Sequence, residues 1–159
     1  MAERPKPIEK EKLDKIIKAG MLAPTGCNLQ PQRVLVITEK EGLEKLAKCT
    51  KYTFQAPTCM LVCYDKTDCW TRKYDGKTCG EVDASIVTTH MMMAAFELGV
   101  GSTWVMSFNP AKLCEEFAIP ENFVPIALLP MGYPAKDCTP SPLHEKSKDE
   151  IEVVFYEKF

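Results

Sequence analysis

The stretch from Asp83 to Leu98, DASIVTTHMMMAAFEL, constrains the fold more than any other part of the chain. It has the length of a helix, and apolar side chains surround most of its circumference. A helix of that kind cannot rest on a surface with one face in water, so it belongs in the middle of the fold. Asp83 is expected to cap its start, and Gly99 to end it in the left-handed conformation that glycine tolerates. His90 reads as a satisfied core or interface histidine. Met91, Met92 and Met93 cover most of one turn and read as core and interface packing rather than a cofactor box.

Around this helix the remaining elements alternate. Residues 8–22 place Leu13, Ile16, Ile17 and Met21 at helical spacing, and the helix stops before Pro24. A polar loop, Thr25 to Gln32, leads into Val34-Leu35-Val36-Ile37, a β-branched run that reads as a buried strand. A short helix is expected near 43–48 and a strand near 59–64. Residues 66–80 read as loop, with a turn at Asp75-Gly76. Asn109-Pro110 opens another helix with a capping residue and a first-turn proline. Residues 124–129 read as a strand ended by Pro130 and Gly132, and the tail EIEVVFYE alternates as a final strand. Interleaved helices and strands give an α+β or α/β class with one central sheet, and no linker or repeat divides 1–159, so a single domain is expected.

The 159 residues carry 20 Lys+Arg and 22 Asp+Glu, a net charge of −2. That balance argues against a nucleic-acid partner bound through counterion release. The longest uncharged stretch is too short to span a bilayer, and MAERPKPIEKEK has no apolar signal core, so a cytoplasmic protein without membrane contact is expected. Eight cysteines stand at 27, 49, 59, 63, 69, 79, 114 and 138, with no Cys-x-x-Cys pair, and His90 and His144 are far apart. Zinc needs close ligand pairs, so no metal site is expected. Cys59 and Cys63 point to one face of a strand, where cysteine behaves as a small hydrophobe. The rival reading, a thiol-redox or zinc protein, would show as bound metal or missing free thiols.

Walker-type loops, G-x-G-x-x-G, His-Glu-x-x-His and G-x-S-x-G are all absent. Chemistry is suggested instead by residues 23–37, APTGCNLQPQRVLVI. Here a helix stops at proline, and a loop offers the Thr25 hydroxyl and the amides of Asn28 and Gln30 before Pro31 and a buried strand. Each amide presents a donor and an acceptor, which suits the edge of a flat heteroaromatic ring. The alternative is a connection whose Asn and Gln tie their own turn.

EVDASIVTTHMMMAAFELGVGSTWVMSF (81–108), followed by IPENFVPIALLPMGYP (119–134), resembles the flavin-dependent nitroreductase family, in its compact form. The 23–31 loop resembles that family's Ala-Pro-Ser/Thr-x-x-Asn-x-Gln-Pro signature in composition and position. The resemblance runs over roughly residues 5–159 in unbroken order. It implies an α+β sandwich with a central, mostly antiparallel sheet flanked by helices. It also implies an intertwined homodimer with one FMN in each of two interface sites. The helix 83–98 would pack at the dimer core and the terminal strand would cross to the partner's sheet.

By the same resemblance, Pro24, Thr25, Asn28 and Gln30 approach the flavin ring, Pro24 and Thr25 from the other subunit. Trp104 to Ser107 falls where main-chain amides meet the ring, with the role assigned to the backbones of Met106 and Ser107. Lys146 and Lys148 fall near a basic pair that meets the phosphate as point charges, or else form a solvated face. The implied activity is ping-pong hydride transfer from NAD(P)H to electron-poor small molecules such as nitroaromatics or quinones, with no essential side-chain acid or base. One departure concerns the phosphate. The family's Arg-x-Ser-x-Arg-like segment precedes the position of Pro7-Ile8, and Arg4, the only arginine in the first 32 residues, sits too late for either arginine. Each lost charge-assisted contact is worth about 1.5–3 kcal/mol. A chain beginning past that segment, or a dimeric relative with weak or absent FMN that acts as a binding protein, would both account for it.

Overall fold

The computed structural model describes residues 5–159; Arg4 lies outside them. Helix α1 (Lys10–Met21) is followed by strand β1 (Gln32–Ile37), helix α2 (Lys40–Cys49) and strand β2 (Thr58–Asp65). The long helix α3 (Gly80–Glu97), the short strand β3 (Gly101–Ser102), α4 (Pro110–Phe117), β4 (Phe123–Gly132) and a last turn of helix, α5 (Glu150–Val153), complete the chain. The strands form one sheet in the order β1-β2-β4-β3, and every pairing is antiparallel. The class is α+β.

Strand alternation separates two cores. Met60 and Val62 of β2 face α1 and α3, where they join Ile16, Val87, Met91, Ala95 and Leu129. Cys59, Leu61 and Cys63 face the other way, toward Leu46 of α2, Leu113 of α4, and Leu128. A central strand covered on both faces has no reason to alternate polar and apolar residues, which is why CMLVC reads as one continuous run. Pro130 does not end β4, contrary to expectation; the strand runs on to Gly132. The register slips between Val62↔Ala127 and Cys63↔Pro125, so that a bulge absorbs the irregularity.

Helix α3 begins at Gly80, three residues before Asp83, so Asp83 is not its cap. The expected loop 66–80 is a small hairpin bridged at Thr71↔Thr78, with its turn at Gly76 (φ 72°). It carries order up to Cys79, and the helix starts at once. Gly99 (φ 72°) ends it as expected. One face of α3, with Ala84, Val87, Thr88, Met91 and Ala95, is buried. The opposite stripe is open: Val82, Met93 and Phe96 are 53%, 67% and 84% exposed. One chain covers half of this helix.

The tail does not form the expected strand. It makes the single turn α5 and then bends at Tyr156–Glu157 (Glu157 φ 66°), with Ile151, Val153, Phe155, Tyr156 and Phe159 all exposed. An alternating segment becomes a strand only by pairing with a sheet edge, and none of its own chain's edges receives it.

Burial pushes the thiols of Cys59 and Cys63 up to about 12. Both should therefore resist a thiol reagent at pH 8 in the native protein and react only after denaturation, as a thiol count with and without denaturant will show. Because a raised thiol pKa favours the protonated native form, stability should fall as pH rises above about 9, where unfolded thiols ionise.

Candidate functional site

The loop after α1 is a tight polar structure. Ala23 is buried and Pro24 exposed, and Gly26–Asn28 form one 3-10 turn. The Thr25 carbonyl accepts from Asn28 N–H at 2.9 Å, and the Thr25 hydroxyl accepts from Gln30 N–H at 3.1 Å. Gln30 Nε2 donates to Asn28 Oδ1 at 3.3 Å. The Asn and Gln thus do tie their own turn, while Asn28 Nδ2 donates to nothing among the described residues. The loop joins β1 through buried Pro31, whose carbonyl accepts from Asp65 N–H at 2.8 Å. Gln32 Oε1 is buried without a partner among the described residues. It borders a cleft of about 350 Å³ lined by Ile17, Gly20, Gln30, Arg33, Val87 and Met91.

The second predicted segment follows α3 at its other end. β3 pairs with Met131 and Gly132, and Val105 exchanges both main-chain hydrogen bonds with Leu128 at 2.9 Å. Trp104 is half-buried against the α1/α3 core. The chain then turns outward: Met106 is 62% exposed and Ser107 is exposed. Thr50 Oγ1 donates to the Ser107 carbonyl at 2.7 Å, and Phe108 N–H donates to the Met106 carbonyl at 3.0 Å. The N–H groups of Met106 and Ser107 themselves have no acceptor among the described residues. Thr50, which holds this pair in place, carried no signal in the sequence.

These two segments do not meet within one chain. Residues 24–32 lead into β1 and residues 101–107 carry β3, and these strands are the opposite edges of the sheet. Three strand spacings separate them, about 14 Å. Lys146 and Lys148 lie in the exposed tail and form no ion pair among the described residues. His90 sits half-buried with Nδ1 at 3.0 Å from the Ile86 carbonyl, as a helix-satisfied ring.

Residues 4–58 and 51–133 match the nitroreductase family. The chain belongs to that family. A crystal structure of a nitroreductase family protein from Clostridium difficile 630 superposes with a TM-score of 0.91 at 46% identity, covering 100% of this chain and 94% of that one. A protein from Archaeoglobus fulgidus, provisionally named NADH dehydrogenase/NAD(P)H nitroreductase, is 32% identical over 142 residues, 80% of this chain and 75% of the relative. An FMN-dependent nitroreductase from a second Clostridium difficile strain has a TM-score of 0.77 at 26% identity, covering 100% of this chain and 95% of that one.

The free donors and acceptors of the two segments fit the edge of a flavin ring. A flavin ring edge carries acceptors that match the two unengaged N–H groups of Met106 and Ser107. It also carries an N–H donor that matches an orphaned amide oxygen such as Gln32 Oε1. Nothing in the sequence distinguishes Gln32 from any polar residue opening a strand.

Two predictions come from the loop's supports. Gly26 has no room for a side chain: a Cβ there would lie 2.7 Å from Cys79 Sγ and 2.9 Å from Trp70 Cβ. Gly26→Ala should cost about 1–3 kcal/mol in urea denaturation, the usual range for overpacking. Asp65, which joins the loop to β2, accepts from Thr67 Oγ1 at 2.6 Å, from Asn122 Nδ2 at 3.0 Å and from Arg33 Nη2 at 3.3 Å. The Thr67 hydroxyl and amide, then Asn122, hold its carboxyl below the usual range. A lowered carboxyl pKa stabilises above the unfolded value near 4 and is lost as pH falls below it. The urea midpoint of Asp65→Asn should accordingly change less than that of the wild type between pH 6 and pH 3.

Proposed function

We propose that the protein is an FMN-dependent NAD(P)H oxidoreductase acting as a homodimer on electron-poor small molecules such as nitroaromatics or quinones. The observation that carries this reading is the separation of the two candidate segments, 24–30 and 104–107, onto opposite sheet edges, together with the open apolar stripe of α3. A second copy packed on that stripe can bring the 24–30 loop of one chain beside the 104–107 segment of the other. The exposed apolar tail, uncovered in one chain, supports the same arrangement. Contiguous apolar surface of this kind marks an interaction face.

In this reading Pro24, Thr25, Asn28 and Gln30 line one side of the flavin ring, with Asn28 Nδ2 as a free donor. The N–H groups of Met106 and Ser107 meet the other edge, Trp104 backs that segment against the core, and Lys146 and Lys148 supply positive charge for the phosphate. FMN, held by these residues, would supply hydride-transfer chemistry between NAD(P)H and a second substrate. The protein's contribution is orientation. Thr50 holds the Ser107 carbonyl, which aims the two adjacent N–H groups, and such preset donors need no reorganisation when charge develops near them. No side chain is required as a general acid or base. The name of the 26%-identical FMN-dependent nitroreductase supports the choice of cofactor.

Purified protein should show flavin absorbance near 450 nm with FMN, oxidise NAD(P)H in the presence of a quinone, and migrate as a dimer. Phe96→Glu places a charge on the open stripe without touching the buried core, and it should give a folded monomer that has lost FMN binding. A monomeric wild type that holds FMN would overturn the interface reading; a wild type without FMN absorbance would overturn the enzyme.

A further inference from the structure

The loop from Pro24 to Gln30 holds Cys27, Asn28 and Gln30 at φ 50°, 55° and 53°, the left-handed region that non-glycine residues avoid. Such a conformation persists only where contacts over-determine it. Most of the loop's hydrogen bonds are internal: Thr25 to Asn28 and Gln30, Gly26 to Leu29, Asn28 to Gln30. They shape the loop but do not orient it against the rest of the chain. Arg33 Nη1 reaches the Gln30 carbonyl at 3.0 Å, but from the strand that the loop itself enters. The hydrogen bond that ties the loop to the helical layer, among the described residues, runs from Gly26 N–H to Asp83 Oδ1 at 3.0 Å.

Asp83 is 3% exposed and forms no ion pair among the described residues. Its other oxygen, Oδ2, accepts from Cys79 Sγ at 3.0 Å. Both carboxylate oxygens are therefore engaged, one by the loop and one by the residue that precedes α3. Burying a carboxylate without a cation is unfavourable, and α3 does not use this one as a cap. What Asp83 does hold is the loop. Cys79 is fixed in turn, its N–H donating to the Trp70 carbonyl at 3.0 Å, and Gly26 fits between Cys79 Sγ and Trp70 Cβ.

We propose that Asp83 is a positioning residue for the cofactor loop: through Gly26 N–H it sets the orientation of Thr25–Gln30 relative to α3, with the Cys79 thiol holding the carboxylate in place. The inference rests on the reading that this loop meets FMN. It makes α3 the common reference for both half-sites, since Asp83 lies in its first turn and the 101–107 segment leaves its last.

The test is an FMN titration of the full chain, followed by flavin fluorescence, with amide hydrogen exchange of residues 25–30 on the apoprotein. Asp83→Ala removes the acceptor and should weaken FMN binding about tenfold or more, the factor that one hydrogen bond to a charged group is worth. Asp83→Leu fills the volume without an acceptor and serves if the alanine variant does not fold. Asp83→Asn keeps an oxygen for Gly26 N–H and should restore affinity to within about threefold of wild type. Thr88→Val removes a fully buried α3 hydroxyl that donates only to the Ala84 carbonyl at 2.8 Å, and should lower stability without changing FMN affinity.

Burial and the Asp83 carboxylate push the Cys79 thiol up to about 11. Asp83→Asn should therefore speed alkylation of Cys79 at pH 8.5 even though it preserves FMN binding. Wild-type affinity in Asp83→Ala and Asp83→Leu, or an equal loss in Asp83→Asn, overturns the proposal. If wild-type protein binds no FMN, the flavin reading fails by itself. Loop protection lost in Asp83→Ala and kept in Asp83→Asn would then still uphold the tether, and unchanged protection would overturn it.

Discussion

A single helix with apolar residues on every side organises this molecule. The sheet and α1 cover one face of α3, and close approach is possible because Gly20 of α1 has no side chain: a Cβ there would lie 2.8 Å from Met91 Cγ. The other face keeps Val82, Met93 and Phe96 in solvent. Apolar area removed from water contributes about 25 cal/mol per Å², so an uncovered stripe of this length is a standing drive toward association. The proposed dimer follows from that imbalance, and with it the division of the candidate site between two edges of the sheet.

The two candidate segments differ in how they are held. Met106 and Ser107 follow the isolated Val105–Leu128 bridge to β4, with Thr50, just past the end of α2, bonding the Ser107 carbonyl. Main-chain pairing to the sheet sets that geometry. The 24–30 loop has left-handed residues instead of a ladder, and it depends on a few long-range contacts: Gly26 with Asp83, Pro31 with Asp65, and Gly26 seated against Trp70. The 66–79 hairpin, an ordinary connection in the sequence, matters for this reason. Pairing of Thr71 with Thr78 delivers Trp70 and Cys79 to the loop's underside.

Much of this was legible in the residues. The helical spacing of Leu13, Ile16 and Ile17, the continuous run of β2, the Asn109-Pro110 start of α4 and the glycine ending α3 all appear where local chemistry placed them. Asp83 was misread because an aspartate before an apolar helical run has the same pattern whether it caps the helix or lies inside its first turn. The tail was misread because alternation of Ile151, Val153 and Phe155 states which face is apolar, not whether an edge is available to pair with it. Pro130 lies inside β4, paired with Cys59, and the bulge sits beside Pro125, features of register that composition does not carry.

By itself the sequence determined the element types, the two faces of β2, the all-round apolar character of the central helix and the family resemblance, because each depends on side-chain order over a few turns or strand residues. Only the tertiary structure decided which partners those elements took. It set the order β1-β2-β4-β3 that puts the two predicted segments on opposite edges, and the contact of Asp83 with Gly26 across 57 positions of sequence. It also left the N–H groups of Met106 and Ser107 without acceptors among the described residues. Contacts between residues far apart in the chain depend on how layers pack, and no local pattern encodes them.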